Sequence, residues 1–96
     1  EATVVACADV VATLRHLYRG RHIDVSVTPY HHPILPLLCD TESTHEAMPN
    51  APLPTPPFQY ADDASKQITT ALASAMQVFD AEIRGMWPAE GSISNA

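Results

Sequence analysis

The stretch Ile23-Asp24-Val25-Ser26-Val27-Thr28-Pro29 decides the fold class. Apolar and polar residues alternate along it, and Ile23, Val25, Val27 and Thr28 are β-branched. That pattern predicts a strand over 23–28, and Pro29, which lacks a backbone donor, ends it. On its N-terminal side Val4, Cys7, Val10, Val11, Leu14, Leu17 and Tyr18 recur at steps of three and four, the spacing of one helix face. Arg15 and Arg19 fall in the last turn, where cations suit the helix dipole, and Gly20 supplies a stop. On the C-terminal side Tyr30-His31-His32-Pro33 opens a long connection. An apolar run broken by Pro36 follows, and then five prolines between Met48 and Pro57. No regular helix or central strand fits so many prolines, so 39–61 reads as a proline-rich loop, with Leu53, Phe58 and Tyr60 as apolar anchors.

Past the loop, Asp62 or Asp63 is placed to cap a second helix running to Phe79. Its buried face is expected to hold Ala64, Ile68, Ala71, Leu72, Ala75, Met76 and Phe79. Ile83-Arg84-Gly85-Met86-Trp87, stopped by Pro88, reads as a brief second strand. The order is helix, strand, long loop, helix, strand, an α/β arrangement. A strand, a crossover helix and a second strand make the βαβ unit of parallel sheets. Val25, Val27 and Met86 belong to such strands and are expected to be under-buried if only two strands are present. In parallel sheets chemistry gathers just past the C-terminal strand ends. Here those places hold Tyr30-His31-His32-Pro33 and Pro88-Ala89-Glu90-Gly91. A histidine pair and a carboxylate converge on one rim.

Composition narrows the function. Ninety-six residues fill one small domain at most, and both ends read as cut from a larger protein. Eleven acidic against five basic residues give a net charge of -6, which disfavours nucleic acid or an anionic membrane as partner. Apolar runs are too short to span a bilayer. Cys7 and Cys39 are too few for a disulfide scaffold and read as small apolar residues in a reducing, cytoplasmic compartment.

Two chemistries suit the rim and its loop. Glu90, on a turn beside Trp87 and Met86, has the setting of a rigid, partly desolvated glycosidase carboxylate. His32, Cys39, Asp40 and His45 are ligand types that zinc accepts, although His-x6-Cys-x5-His is no standard zinc spacing. That second reading makes the chain a small non-catalytic metal-binding or interaction module built on the loop from His31 to His45. His31 and His32 are adjacent, so on extended chain only one faces the rim.

Two long segments carry a family resemblance. Ile23-Asp24-Val25-Ser26-Val27-Thr28-Pro29-Tyr30-His31-His32-Pro33-Ile34-Leu35-Pro36-Leu37-Leu38 resembles a segment of family 57 glycoside hydrolases in which an acidic strand enters a Tyr-x-His-Pro-Ile-Leu-Pro-Leu turn. Gly85-Met86-Trp87-Pro88-Ala89-Glu90-Gly91-Ser92-Ile93-Ser94 is similar to that family's Gly-Met-Trp-Pro-Ser-Glu-Gly-Ser-Val-Ser segment. Asp63-Ala64-x-x-Gln67 fits the start of the intervening helix. The resemblance covers about residues 20 to 94.

It implies a fragment of a (β/α)7 barrel, with parallel strands, that acts on α-1,4-glucans with retention of configuration. By the same resemblance Glu90 is the catalytic nucleophile, while His32 and Trp87 bind substrate. The general acid, an aspartate on a later strand, lies outside this chain. No metal or organic cofactor is implied. The implied partners are an α-glucan and the remainder of the barrel. The sequence departs from the family pattern at Asp24, where glutamate is more usual, at His31, often tyrosine, and at Ala89, usually serine. Phe79-Asp80-Ala81-Glu82-Ile83 also differs from the common approach to the second strand.

Overall fold

The structure, a computed structural model, describes residues 2–95, with the side chains of residues 2, 3 and 6–8 excepted. Cys7 therefore lies outside the described side chains. Helix α1 spans Ala2–Arg19 and strand β1 Ser26–Val27. Short helices α2 (Leu35–Cys39) and α3 (Thr44–Ala47) flank a 3-10 turn at Thr41–Ser43. Helix α4 spans Ala61–Phe79, strand β2 Gly85–Met86, and a second 3-10 turn covers Ala89–Gly91.

The two strands pair in parallel, Ser26 with Gly85 and Val27 with Met86. The Trp87 N–H donates to the Val27 carbonyl at 2.8 Å and carries the ladder one residue further. At Gly85 a Cβ would lie 3.1 Å from the Ser26 Cβ and 3.3 Å from the Val25 carbonyl, so the pairing needs a residue without a side chain there. The expected strand over 23–28 shortens to two residues, because only Ser26 and Val27 find a ladder partner in β2. The alternation nevertheless holds: Ile23, Val25 and Val27 are half-buried, while Asp24, Ser26 and Thr28 are exposed. Val25, Val27 and Met86 are half-buried, as expected of strands that lack further neighbours.

Helix α1 ends in a Schellman closure. The His22 N–H donates to the Leu17 carbonyl and the Arg21 N–H to the Tyr18 carbonyl. The left-handed residue of that closure is Arg21 (φ 59°), so the conformational stop sits one residue beyond Gly20. The expected apolar face of α1 is largely uncovered: Val4, Val10, Val11 and Leu14 are exposed, and Leu17 and Tyr18 half-buried. The last turns reach α4. There Arg15 Nε donates to the Val78 carbonyl at 2.6 Å, Tyr18 Oη donates to the Glu82 carbonyl at 2.6 Å, and Tyr18 meets Phe79 edge-on.

Helix α4 begins two residues earlier than expected, with Tyr60 rather than an aspartate at its N-cap position. Asp62 and Asp63 instead lie in the first turn, where their charge suits the helix dipole. Ala64, Ala71 and Ala75 are buried as the periodicity requires, and Ile68, Leu72 and Phe79 are half-buried. Met76 is 52 % exposed, because no element packs over that side of the helix.

Among the described residues the other buried side chains are Pro29, Ile83 and Ala89. A core built from four alanines, one proline and one isoleucine removes little apolar area from water. The shape agrees. The radius of gyration is 17.4 Å, against about 12–13 Å for a compact chain of this length.

The long connection is more structured than its prolines suggested. Three short helical pieces lie within 35–47, which leaves 28–34 and 48–60 without helix or strand. Its expected anchors fail: Phe58 and Tyr60 are exposed and pack against each other, leaving only Leu53 half-buried. The neck is closed by backbone and side-chain bonds. The Thr41 N–H donates to the Phe58 carbonyl, the Tyr60 N–H to the Leu38 carbonyl, and Gln59 Nε2 to Asp40 Oδ2. Among the described residues no helix is long and apolar enough to cross a membrane.

Candidate active site

Parallel pairing places the C-terminal ends of β1 and β2 side by side. The chain leaves β1 through Thr28 and Pro29, whose burial locks the exit. A turn follows, closed by the His32 N–H donating to the Pro29 carbonyl at 2.9 Å. His32 adopts φ 58°. That left-handed state is uncommon for any side-chain-bearing residue, and a following proline pushes its predecessor toward extended backbone. His32 precedes Pro33, so the conformation is disfavoured twice.

The exit from β2 mirrors this. Pro88 and the buried Ala89 lead into a 3-10 turn held by the Gly91 N–H on the Pro88 carbonyl and the Ser92 N–H on the Ala89 carbonyl. Within it Glu90 is left-handed (φ 57°, ψ 16°), and Gly91 follows at φ 67°. Gly91 is a position where the positive φ would strain any side chain, although a Cβ there would meet the Trp87 indole at an ordinary 3.8 Å.

The two left-handed residues face each other. His32 Nε2 donates to Glu90 Oε1 at 3.2 Å, across 58 residues of chain. An imidazole and a carboxylate thus share one bond at the rim, an ion pair whenever the ring is protonated. Their side chains are 52 % and 70 % exposed. The expectation that Glu90 is partly desolvated is therefore not met by residues of this chain: Trp87 lies beside Gly91 and is itself 60 % exposed. What the chain does supply is a fixed backbone.

Of the sequence-predicted residues, Glu90 and His32 come together and Trp87 borders the Glu90 turn. His31 points elsewhere, its ring edge-on to Tyr30 at 4.8 Å. The zinc set does not assemble. His32 is engaged by Glu90, Asp40 accepts from the Glu42 N–H and from Gln59, and His45 Nε2 donates to the Ala51 carbonyl. Among the described residues no three His, Cys, Asp or Glu side chains group as a metal site. Three of the four, His32, Asp40 and His45, are thus engaged by groups other than one another.

One residue escaped notice as a functional candidate. Gln67, in the second turn of α4, accepts the His31 N–H on Oε1 at 2.8 Å and the Tyr30 N–H on its backbone carbonyl at 3.2 Å. The signal was present in the helix period. Gln67 lies three residues after Ala64 and four before Ala71, a polar side chain on the buried face.

A depression of about 850 Å³ lies at the other end of the strands, lined by Tyr18, Arg21, Asp24 and Arg84 among others. It is remote from the His32–Glu90 pair, and Asp24 belongs to it rather than to the rim.

No curated protein and no solved structure matches the chain. The family model described as Glycosyl hydrolase family 57 matches residues 5–96, from the first helix through both segments that carry His32 and Glu90. A match over nearly the whole chain settles the family: the protein belongs to glycosyl hydrolase family 57, which makes its type that of a glycoside hydrolase.

Proposed function

We propose that the chain is part of a (β/α)7 barrel enzyme that hydrolyses or transfers α-1,4-glucans with retention of configuration. Glu90 is its nucleophile. The observation that carries this reading is the His32–Glu90 contact at the C-terminal ends of two parallel strands, with both residues held in left-handed backbone. Such strain persists where surrounding structure over-determines it, and it clusters at catalytic and ligand-clamping positions.

In the mechanism the Glu90 carboxylate attacks the anomeric carbon, and the glycosidic C–O bond breaks. The departing oxygen takes a proton from a general acid outside this chain, about 5–5.5 Å from Glu90 as retention requires. Water, or a sugar hydroxyl in transfer, then displaces Glu90 from the anomeric carbon as the acid's conjugate base removes its proton. His32 lines the sugar subsite and orients the nucleophile through Oε1, while the Trp87 indole offers an apolar face to the ring. The chemistry calls for neither metal nor organic cofactor. The remainder of the barrel supplies the desolvation that Glu90 lacks here and covers the exposed face of α1.

The test is Glu90→Gln in the full-length protein. The amide keeps the shape but cannot form the covalent intermediate, so turnover of maltooligosaccharides should fall by several orders of magnitude while the thermal midpoint is retained. Near-normal turnover in that variant removes Glu90 as the nucleophile.

A further inference from the structure

We propose that Gln67 is a positioning residue for the rim, acting on His32 and through it on Glu90; this rests on the roles given to those two residues above. Two consecutive backbone donors, Tyr30 N–H and His31 N–H, end on this one residue, one on its carbonyl and one on its side-chain oxygen. A carbonyl has two lone pairs, so accepting a second donor from within a helix costs α4 no bond of its own. The side-chain bond is the shorter and is the part that a substitution can remove.

Geometry explains why the bond matters. Tyr30 and His31 are the two central residues of the turn that the His32 N–H closes on Pro29. Fixing both of their N–H vectors fixes the Pro29–Tyr30 and Tyr30–His31 peptide planes, the two that lead into the peptide joining His31 to His32. His32 must hold a left-handed conformation before a proline, a state that the chain leaves readily unless its neighbours are clamped. Helix α4 thus sets the direction of the imidazole that meets Glu90 at 3.2 Å. A misplacement of about 1 Å at a reacting group can cost about a hundredfold in rate.

A double-mutant cycle in the full-length protein, read as kcat/KM on maltooligosaccharides, tests this. Gln67→Leu keeps the length and removes the acceptor, and should lower kcat/KM by about 10- to 100-fold. Gln67→Glu keeps an acceptor oxygen at the same reach and should return activity to within about threefold of wild type. In a His32→Ala background, Gln67→Leu should cost less than about twofold, since the residue through which it acts is gone. Equal losses in both backgrounds, or no recovery with Gln67→Glu, overturn the positioning role. Should Gln67→Leu fail to fold, Gln67→Asn, which shortens the reach of the same amide, replaces it in the cycle with the same expected outcomes. Glu90→Gln is measured alongside. If it retains turnover, the nucleophile assignment fails; if it is inactive while the cycle is additive, only the role of Gln67 fails.

Discussion

Four residues with side chains adopt left-handed backbone among those described, and they divide into two pairs. Arg21 and Asp80 close the two long helices. His32 and Glu90 leave the two strands. At Arg21 the left-handed turn satisfies the last carbonyls of α1. At Asp80 (φ 50°, ψ 40°) it stops α4, and the carboxylate pairs with Arg19 at 3.0 Å in the open. Any residue tolerating that conformation serves there, and glycine serves better. At the rim no helix end calls for the conformation, and its evident consequence is that an imidazole meets a carboxylate. The same backbone state is punctuation in one pair and aim in the other.

Substitution by glycine separates the two. The largest effect is expected for Glu90→Gly in the full-length protein. It relieves the backbone, so the thermal midpoint should hold or rise, while maltooligosaccharide turnover falls by several orders of magnitude because the attacking oxygen is gone. Collapse of the fold in that variant would make Glu90 a structural residue and erase the distinction. Next is His32→Ala, for which kcat/KM should fall by about 5- to 150-fold, corresponding to about 1–3 kcal/mol for one lost hydrogen bond in a closed site. Assays over a range of substrate concentrations sharpen the result by showing whether the loss lies in KM or in kcat. The smallest effect belongs to Arg21→Gly and Asp80→Gly. Both should leave kcat/KM within about twofold, and calorimetry should find stability changed by about 1 kcal/mol or less, since relief of the left-handed backbone is offset by a more flexible unfolded chain. A large loss of activity in either would place the helix ends in the same class as the rim.

The parts legible in the sequence are those whose signal is local or periodic. Alternation located β1, Ala64, Ala71 and Ala75 marked the buried side of α4, and the order of elements brought His32 and Glu90 to one rim. What depended on distant chain was misread. Val4, Val10, Val11, Leu14 and Met76 have the spacing of a buried face, yet periodicity says which way a face points and not whether anything lies over it. The strand lengths failed for a related reason, since a ladder is as long as its partner allows. The zinc set looked plausible by residue type because spacing cannot reveal that Asp40 is engaged by Glu42 and Gln59, or His45 by Ala51. Gln67 was visible as a polar residue among alanines, but its partner lies 36 residues away.

The closed neck between Leu38 and Tyr60 has a consequence for how this molecule can change over time. Glu46 inside the neck accepts from Ser94 beyond the Glu90 turn. Residues 48–57, by contrast, bond back to Thr44 and His45 within the neck and hang from the clasp at 38–41 and 58–60, so that clasp does not register how many of them there are. Doubling the length of a flexible loop adds only about 0.6 kcal/mol of closure entropy. The stretch from 48 to 57 is thus a place where insertions and exchanges come cheaply, provided the clasp at Asp40 and Gln59 survives. Novelty can accumulate there, within one chain's reach of a histidine and a glutamate whose own positions admit almost none.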